Sequence, residues 1–400
     1  MLKKMALNIG SVSFVLAAVM VLASLSSILL GRVLTRAQFG EFALVRTLIL
    51  LIAPLAIWGQ DVATARFFSQ QPPAHFKWDV AFRNIMIVAF VLVVIGVAIA
   101  DSVYRFDFFK IMGVAMAALF YASSLFFSNL VRSQQRYTRA ILMISGFRGL
   151  FFFFLITAFF ANHITKSFAI GSYISVIILV GLFNVWYAFR TVPRGSEPVP
   201  VEMHRTGLIL MGIQGSIAII SYLDGLFIPK VLGYETMGLY AATVVPVQAF
   251  AILARAAKYV WVPEFGRSKQ VRFKFLTAVV AAIALALLLI MVVGAEPILH
   301  ILYRGKYDEG ASLLRILAMV GVFRLFYGLS SSLIVGRLSN TALKYHLGVT
   351  IASMLIYAFA LLTMLRVYGI MGAGYALLVL TFVRMMGSYW IVYRFRHATA

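Results

Sequence analysis

The chain has 400 residues, 62% hydrophobic and only 12% charged, with a mean hydropathy of +0.96 and a formal charge of +22. That balance excludes a soluble globular domain, and the absence of cysteine excludes disulfides and thiolate chemistry. The basic residues are spread through short links and are not gathered on a folded basic domain. They therefore speak for membrane orientation and anionic lipid headgroups, and against nucleic acid.

A membrane-crossing helix needs about 20 mostly apolar residues. Twelve such stretches are predicted, at 8–30, 41–58, 80–100, 111–130, 141–161, 168–189, 206–228, 237–256, 273–294, 312–335, 343–365 and 369–392. Lys3 and Lys4 precede the first stretch like the basic region of a signal peptide. The stretch is too long for one and lacks a small-x-small cleavage site, which predicts a retained span. The expected class is all-α: a polytopic membrane protein with six-helix lobes at 1–190 and 206–400 and a cytoplasmic linker at 191–205. The Pro, Gly and Glu of that linker suit an exposed connection.

With the N-terminus inside, 21 Lys and Arg fall on the cytoplasmic side and 10 on the opposite side. The positive-inside rule then places both termini in the cytoplasm. By the same map Trp58, Trp78, Trp186, Trp261 and Trp390 all fall at the cytoplasmic interface, where tryptophan is favoured.

The chain repeats itself at an offset of 198: Gly31 to Leu44 lies against Pro229 to Ala242, and Val33, Leu34, Gly40 and Ala43 recur as Val231, Leu232, Gly238 and Ala241. Six spans per half give both copies the same orientation, a parallel repeat about a pseudo-two-fold axis along the membrane normal. Pro54 and Pro246 each fall inside the second span of a half, where proline frees a carbonyl and kinks the helix.

Charges at membrane depth are costly unless they face a protein interior or a wet cavity. Arg46 in the second span and Asp224 in the seventh are expected at similar depth near the outer surface, positioned to form an outer gate. Gln214, Ser221 and Asp224 share one helical face by their spacing of seven and three. Arg324 lies some dozen residues into the tenth span, whereas Arg148 and Arg384 lie about two turns from the cytoplasmic surface, where snorkelling competes with a ligand role. The candidate cavity residues are therefore Arg46, Arg148, Arg324, Arg384, Gln214, Ser221 and Asp224. Arginine forks without matching carboxylates suit phosphate oxygens. The aromatic run Phe151 to Phe154, with Phe159 and Phe160, reads as lipid-facing bulk. Ser123, Ser124, Ser128 and Asn129 read either as polar lining or as small-residue helix contacts.

The segment Leu30 to Phe68 resembles the opening of the bacterial polysaccharide (Wzx-type) flippases, within the superfamily that also holds multidrug extruders and lipid II flippases. The matching parts are L-G-R-x-L-T near the outer turn, F-G-E-F-A-L starting the second span, and Gly59, Asp61, Ala63, Arg66 and Phe67 at its inner end. The resemblance implies two six-helix lobes around a central cavity, alternating access, and transport of an undecaprenyl-pyrophosphate-linked oligosaccharide from the cytoplasmic to the outer leaflet of the inner membrane. Membrane lipids, a polysaccharide polymerase and a chain-length regulator are the implied partners. No cofactor or metal cluster is expected, and the coupling ion stays open between proton and sodium. The lipid II relatives use carboxylates in the seventh and eleventh or twelfth spans for sodium, and the last two spans here carry no acid. A multidrug extruder of the same superfamily is the first alternative, although Asp61, Asp79, Asp101 and Asp107 lie at span ends or in links. A membrane polymerase or glycosyltransferase is the second, set against by short outer links that leave little room for an acid/base pair.

Overall fold

The computed structural model describes residues 2–70, 73–267 and 273–395. The helices run, in order, α1 (Leu2–Val33), α2 (Arg36–Ala56), α3 (Gln60–Gln70), α4 (Trp78–Tyr104), α5 (Phe108–Ser133), α6 (Tyr137–Phe160), α7 (Lys166–Thr191), α8 (Val201–Leu232), α9 (Tyr234–Arg267), α10 (Phe273–Val293), α11 (Ala295–Tyr303), α12 (Ala311–Arg337), α13 (Asn340–Tyr368) and α14 (Ile370–Phe395). All except α3 and α11 contribute a stretch long and apolar enough to cross a membrane, giving the twelve predicted spans among the described residues. A bilayer offers no water to free N–H and C=O groups, so such runs close their hydrogen bonds internally as helices. The two short helices fall in segments read from sequence as links. Asp61 in the first turn of α3 favours that start through the helix dipole.

The chain divides into two compact units, Met1–Ser26 with Phe42–Leu226, and Ser27–Glu41 with Phe227–Ala400. Most of α8 therefore belongs with the first unit, and the connection between α1 and α2 belongs with the second.

In the first unit α2 ends just after Pro54, and the chain turns through Trp58 and Gly59, both with positive φ (43° and 74°), before α3 begins. A Cβ on Gly59 would overlap the Gly207 carbonyl of α8. Gln60 is fully buried; its amide donates to the His204 carbonyl at 3.1 Å, and its Oε1 lies 3.1 Å from His204 Nδ1. The Trp58 ring stacks on His204 with centroids 6.2 Å apart. Further along α8, Gly225 lies against Thr47 of α2.

Several sequence expectations are refined here. The exposed 191–205 linker is held by backbone bonds: Lys77 donates its N–H to the Glu197 carbonyl at 2.7 Å, Glu197 to His75 at 3.0 Å, and Gly195 to Phe76 at 3.0 Å. Trp78, at the start of its span, is fully buried and donates its indole N–H to the Pro193 carbonyl at 2.9 Å, so its ring faces inward and anchors the linker. Trp186 and Trp390 remain about half exposed. Ser123, Ser124, Ser128 and Asn129 are buried helix contacts; Asn184 donates its amide to Ser124 Oγ at 3.0 Å and to the Met143 carbonyl at 2.8 Å. Phe151 is buried, whereas Phe153, Phe154, Phe159 and Phe160 are exposed.

In the second unit the two repeat copies meet. A Cβ on Gly40 would overlap the carbonyl of Tyr234, and a Cβ on Gly238 would overlap the carbonyl of Arg36. Gly238 and Tyr234 are the offset-198 partners of Gly40 and Arg36, so the contact is self-complementary, as an axis relating the copies requires. The same turn is clasped by the segment around α11. Arg32 donates to the carbonyls of Leu302 and Ile301 at 2.5 and 2.8 Å. Arg36 donates to the Lys306 carbonyl at 2.6 and 3.0 Å and pairs with Glu309 at 2.5 Å. The Lys306 ammonium returns to the carbonyls of Gly31 and Leu34.

Candidate functional site

In the first unit the polar interior gathers around Tyr173 of α7, which is 4% exposed. The charges of Arg46 on α2 and Arg148 on α6 both act on its hydroxyl, as do the hydroxyls of Tyr121 on α5 and Tyr222 on α8. Five helices thus contribute to one cluster. An aromatic wall fixes it: Phe42 stacks on Phe151 with centroids 5.8 Å apart, and Tyr173 meets Phe42, Phe147 and Phe151 edge-on at 5.5, 5.9 and 5.0 Å. The Arg148 guanidinium lies 5.4 Å from the Phe147 ring centroid. A ring held by its own neighbours offers the half-buried guanidinium a cation–π contact. No ion pair to Arg148 occurs among the described residues.

Asp224 and Ser221 lie on α8 of the same unit. Asp224 Oδ1 accepts from the N–H of Gly225 at 2.8 Å, and the Ser221 hydroxyl donates to the Ile217 carbonyl at 2.7 Å. Ser221 thereby spends its hydrogen on its own helix. The Gly225–Thr47 contact brings Asp224 and Arg46 to neighbouring levels of α8 and α2. The side chain of Gln214 lies outside the described residues.

Asp61 at the α2–α3 break is partly buried, and desolvation pushes its carboxyl up to about 6 against the opposing N–H groups of Val62 and its own backbone. Sequence reasoning set it aside as a span-end residue. The helix break that buries it has no signal beyond Trp58–Gly59 following Pro54.

In the second unit Arg384 on α14 donates to the Tyr327 hydroxyl of α12 at 2.7 Å and lies 4.3 Å from that ring's centroid. Tyr327 stacks on His346 of α13 at 5.9 Å. Arg324 lies one turn before Tyr327 on α12 and is half-buried, with no hydrogen bond or ion pair among the described residues. The candidate arginines therefore fall into two groups, Arg46 with Arg148 in one unit and Arg324 with Arg384 in the other. Sequence reasoning missed Tyr173, Tyr327 and His346; the signal for the last two was a polar stripe at spacings of three and four on apolar helices. No group of three or more His, Asp or Glu suited to a metal occurs among the described residues.

No protein-family model matches the sequence, and no curated protein matches it. Solved structures do. An inward-facing multidrug resistance MATE family transporter of the MOP superfamily superposes with TM-score 0.69 at 14% identity, covering 94% of each chain. The lipid II flippase MurJ in an inward closed conformation gives 0.67 at 9%, covering 96% of this chain and 87% of that one. A MOP superfamily transporter from Pyrococcus furiosus, described by the reverse polarity of its binding pocket, gives 0.62 at 15%, covering 98% and 95%. At these identities the likeness speaks for architecture: this is a multi-pass membrane protein with the twelve-helix, two-lobe fold of MOP-superfamily transporters.

Proposed function

We propose that the protein is a flippase of the polysaccharide type. It carries an undecaprenyl-pyrophosphate-linked oligosaccharide from the cytoplasmic to the outer leaflet of the bacterial inner membrane, for O-antigen, capsule or exopolysaccharide assembly. The observation that carries this reading is the sign of the interior. The charges of Arg46 and Arg148 both act on the Tyr173 hydroxyl, and Arg324 and Arg384 stand on helices whose sequences contain no Asp or Glu. Half-buried arginines in such surroundings favour a doubly anionic headgroup, to which each fork can donate two hydrogen bonds. In this scheme the arginines accept the pyrophosphate from the cytoplasm. Ser221 and Asp224 line the path of the glycan, and the polyprenyl tail stays in lipid. Rocking of the lobes then exposes the headgroup outside. A polymerase and a chain-length regulator act on the product, and both termini face the cytoplasm.

A multidrug extruder is the second reading, supported by the TM-score of 0.69 to a multidrug resistance transporter and by the proton-exchangeable Asp61. One experiment separates the two. In a strain lacking the gene, lipid-linked saccharides and surface polysaccharide are measured together with drug sensitivity, with complementation by wild type, Arg46→Ala and Arg324→Ala. Accumulated lipid-linked units and lost surface glycan, rescued by wild type and not by either variant at equal membrane abundance, are expected. Wild-type glycan from both variants would remove the arginines from the pathway. Unchanged lipid pools with altered drug sensitivity would establish the extruder.

A further inference from the structure

The second unit holds a polar cluster around Arg384 whose tyrosine and histidine members have no part in the scheme above. Arg384 lies about 16 Å along α14 from its end at Phe395, and Tyr327 about 15 Å along α12 from Arg337, at the helical rise of about 1.5 Å per residue. The guanidinium is held there by two neutral devices, the Tyr327 hydroxyl at 2.7 Å and the face of the same ring at 4.3 Å. No carboxylate forms an ion pair with it among the described residues, and the sequences of α10, α12, α13 and α14 contain none. Its Nε is buried without a hydrogen-bond partner among the described residues. A half-buried guanidinium with its Nε left this way carries an unmet demand for an acceptor.

The neighbours share the same bias. His346 stacks on the other side of Tyr327, with Nε2 at 3.5 Å from the Tyr327 hydroxyl and 3.4 Å from Ser331 Oγ. Its Nδ1 is likewise buried with no partner among the described residues. Lys258 on α9 acts on the imidazole as a further positive charge, together with Arg384. The α12–α14 spacing is fixed one turn away. There Ser330 and Ser388, both fully buried, share a hydrogen bond of 2.6 Å. Ser330 follows Tyr327 by three residues and Ser388 follows Arg384 by four, so that bond locks the register of the pair it neighbours.

We infer that Arg384, Tyr327 and His346 form a second oxyanion site, inside the C-terminal unit and separate from the Arg46–Arg148 cluster, for a phosphate or diphosphate group. Arg384 would donate through Nε and one Nη in its fork, Tyr327 would turn its hydroxyl hydrogen toward the anion, and the imidazole would close the third side. The inference rests on the flippase reading only for the source of the anion: a free or polyprenyl-linked diphosphate, or a phospholipid headgroup.

The test titrates inorganic pyrophosphate into protein reconstituted in phosphatidylcholine nanodiscs, by calorimetry. An Arg46→Ala/Arg148→Ala background silences the N-terminal arginines. Saturable binding is expected, weakened at least about tenfold by Arg384→Gln and by a smaller factor by His346→Gln. Tyr327→Phe keeps the ring and removes the hydroxyl; its weakened binding keeps the test alive where Arg384→Gln fails to fold. Phosphatidylglycerol in the disc supplies the second arm. Competition with pyrophosphate identifies a lipid headgroup as the natural anion, and its absence identifies a diphosphate. No binding in the background protein, or equal binding by folded Arg384→Gln and Tyr327→Phe, overturns the site. Intact pyrophosphate binding in a protein that moves no lipid-linked glycan would remove the flippase reading and leave the site standing.

Discussion

The two repeat copies are alike where they meet and unlike where they lead. Gly40 and Gly238 make the same backbone contact, each against the carbonyl of the other copy's residue four positions earlier. Beyond it, α2 carries Arg46 and breaks at Trp58–Gly59, whereas α9 carries Val244 at the matching position and runs unbroken from Tyr234 to Arg267, through Pro246. Proline alone therefore does not break the helix. What differs is the positive φ at two consecutive residues, and the close seat of Gly59 against Gly207, which has no room for a side chain. Symmetry is kept where backbones must touch, and it is abandoned where chemistry needs a charge or a bend.

The largest expected effect comes from breaking the shared contact. A side chain at Gly40 or Gly238 must push aside a carbonyl that belongs to a helix end, so Gly40→Val and Gly238→Val are each expected to abolish the folded protein, at about 3 kcal/mol or more. The comparison predicts equal damage from both, measured as monodisperse protein recovered after extraction. Gly146→Ala, with nothing within 4 Å of its would-be Cβ, serves as the neutral control. Tolerance of one substitution and not the other would show that the pseudo-symmetry is superficial.

The bend in α2 gives a smaller, pH-dependent effect. Burial raises the Asp61 carboxyl to about 6, while an aspartate in an unfolded chain titrates near about 4. The folded protein therefore binds the proton more tightly. The stability this supplies is complete below about pH 4 and is lost as the pH rises through about 6. The loss is on the order of 1–3 kcal/mol, the upper figure applying only if solvent screens the carboxylate little. Melting temperatures of wild type and Asp61→Asn between these limits test it. The difference between them should grow in favour of the asparagine variant as pH rises, and a constant difference would place Asp61 in solvent.

Much of the architecture was legible in the sequence because hydrophobic length is a local property. Twelve apolar runs gave twelve spans, and the weak 198-residue repeat pointed to the glycines that touch. What stayed hidden depends on non-local contact. Trp78 sits at an interface by position, yet Phe127 and Phe189 pack edge-on against it and its indole holds Pro193. The linker reads as exposed by composition, and nothing in that composition tells that its backbone pairs with residues 75–77. Arg46 and Arg148 were legible as costly charges, while their shared target Tyr173 was not, because α7 places it by packing and not by any motif. Arg384 was legible for the same reason as Arg46. Its partner Tyr327 was not, since tyrosine in a span is ordinary until an arginine lies on its face.

The smallest effect tests whether the clasp around the shared contact matters beyond the glycines. Arg36 meets Glu309 at 2.5 Å, but the two side chains are 35% and 55% exposed. Exposed pairs contribute about 0–1 kcal/mol because solvent screens them and both side chains lose rotamer entropy. The other Arg36 bonds go to the Lys306 carbonyl, which a substitution at Glu309 leaves in place. Glu309→Gln is therefore expected to lower stability by less than about 1 kcal/mol, and to lose even that in high salt. Arg36→Ala removes the carbonyl bonds as well and should cost more, about 1–3 kcal/mol. Equal losses from the two variants, measured by thermal unfolding at low and high salt, would assign the clasp to the ion pair. The expected inequality assigns it to backbone carbonyls, which offer an arginine the same acceptors whatever acid stands nearby.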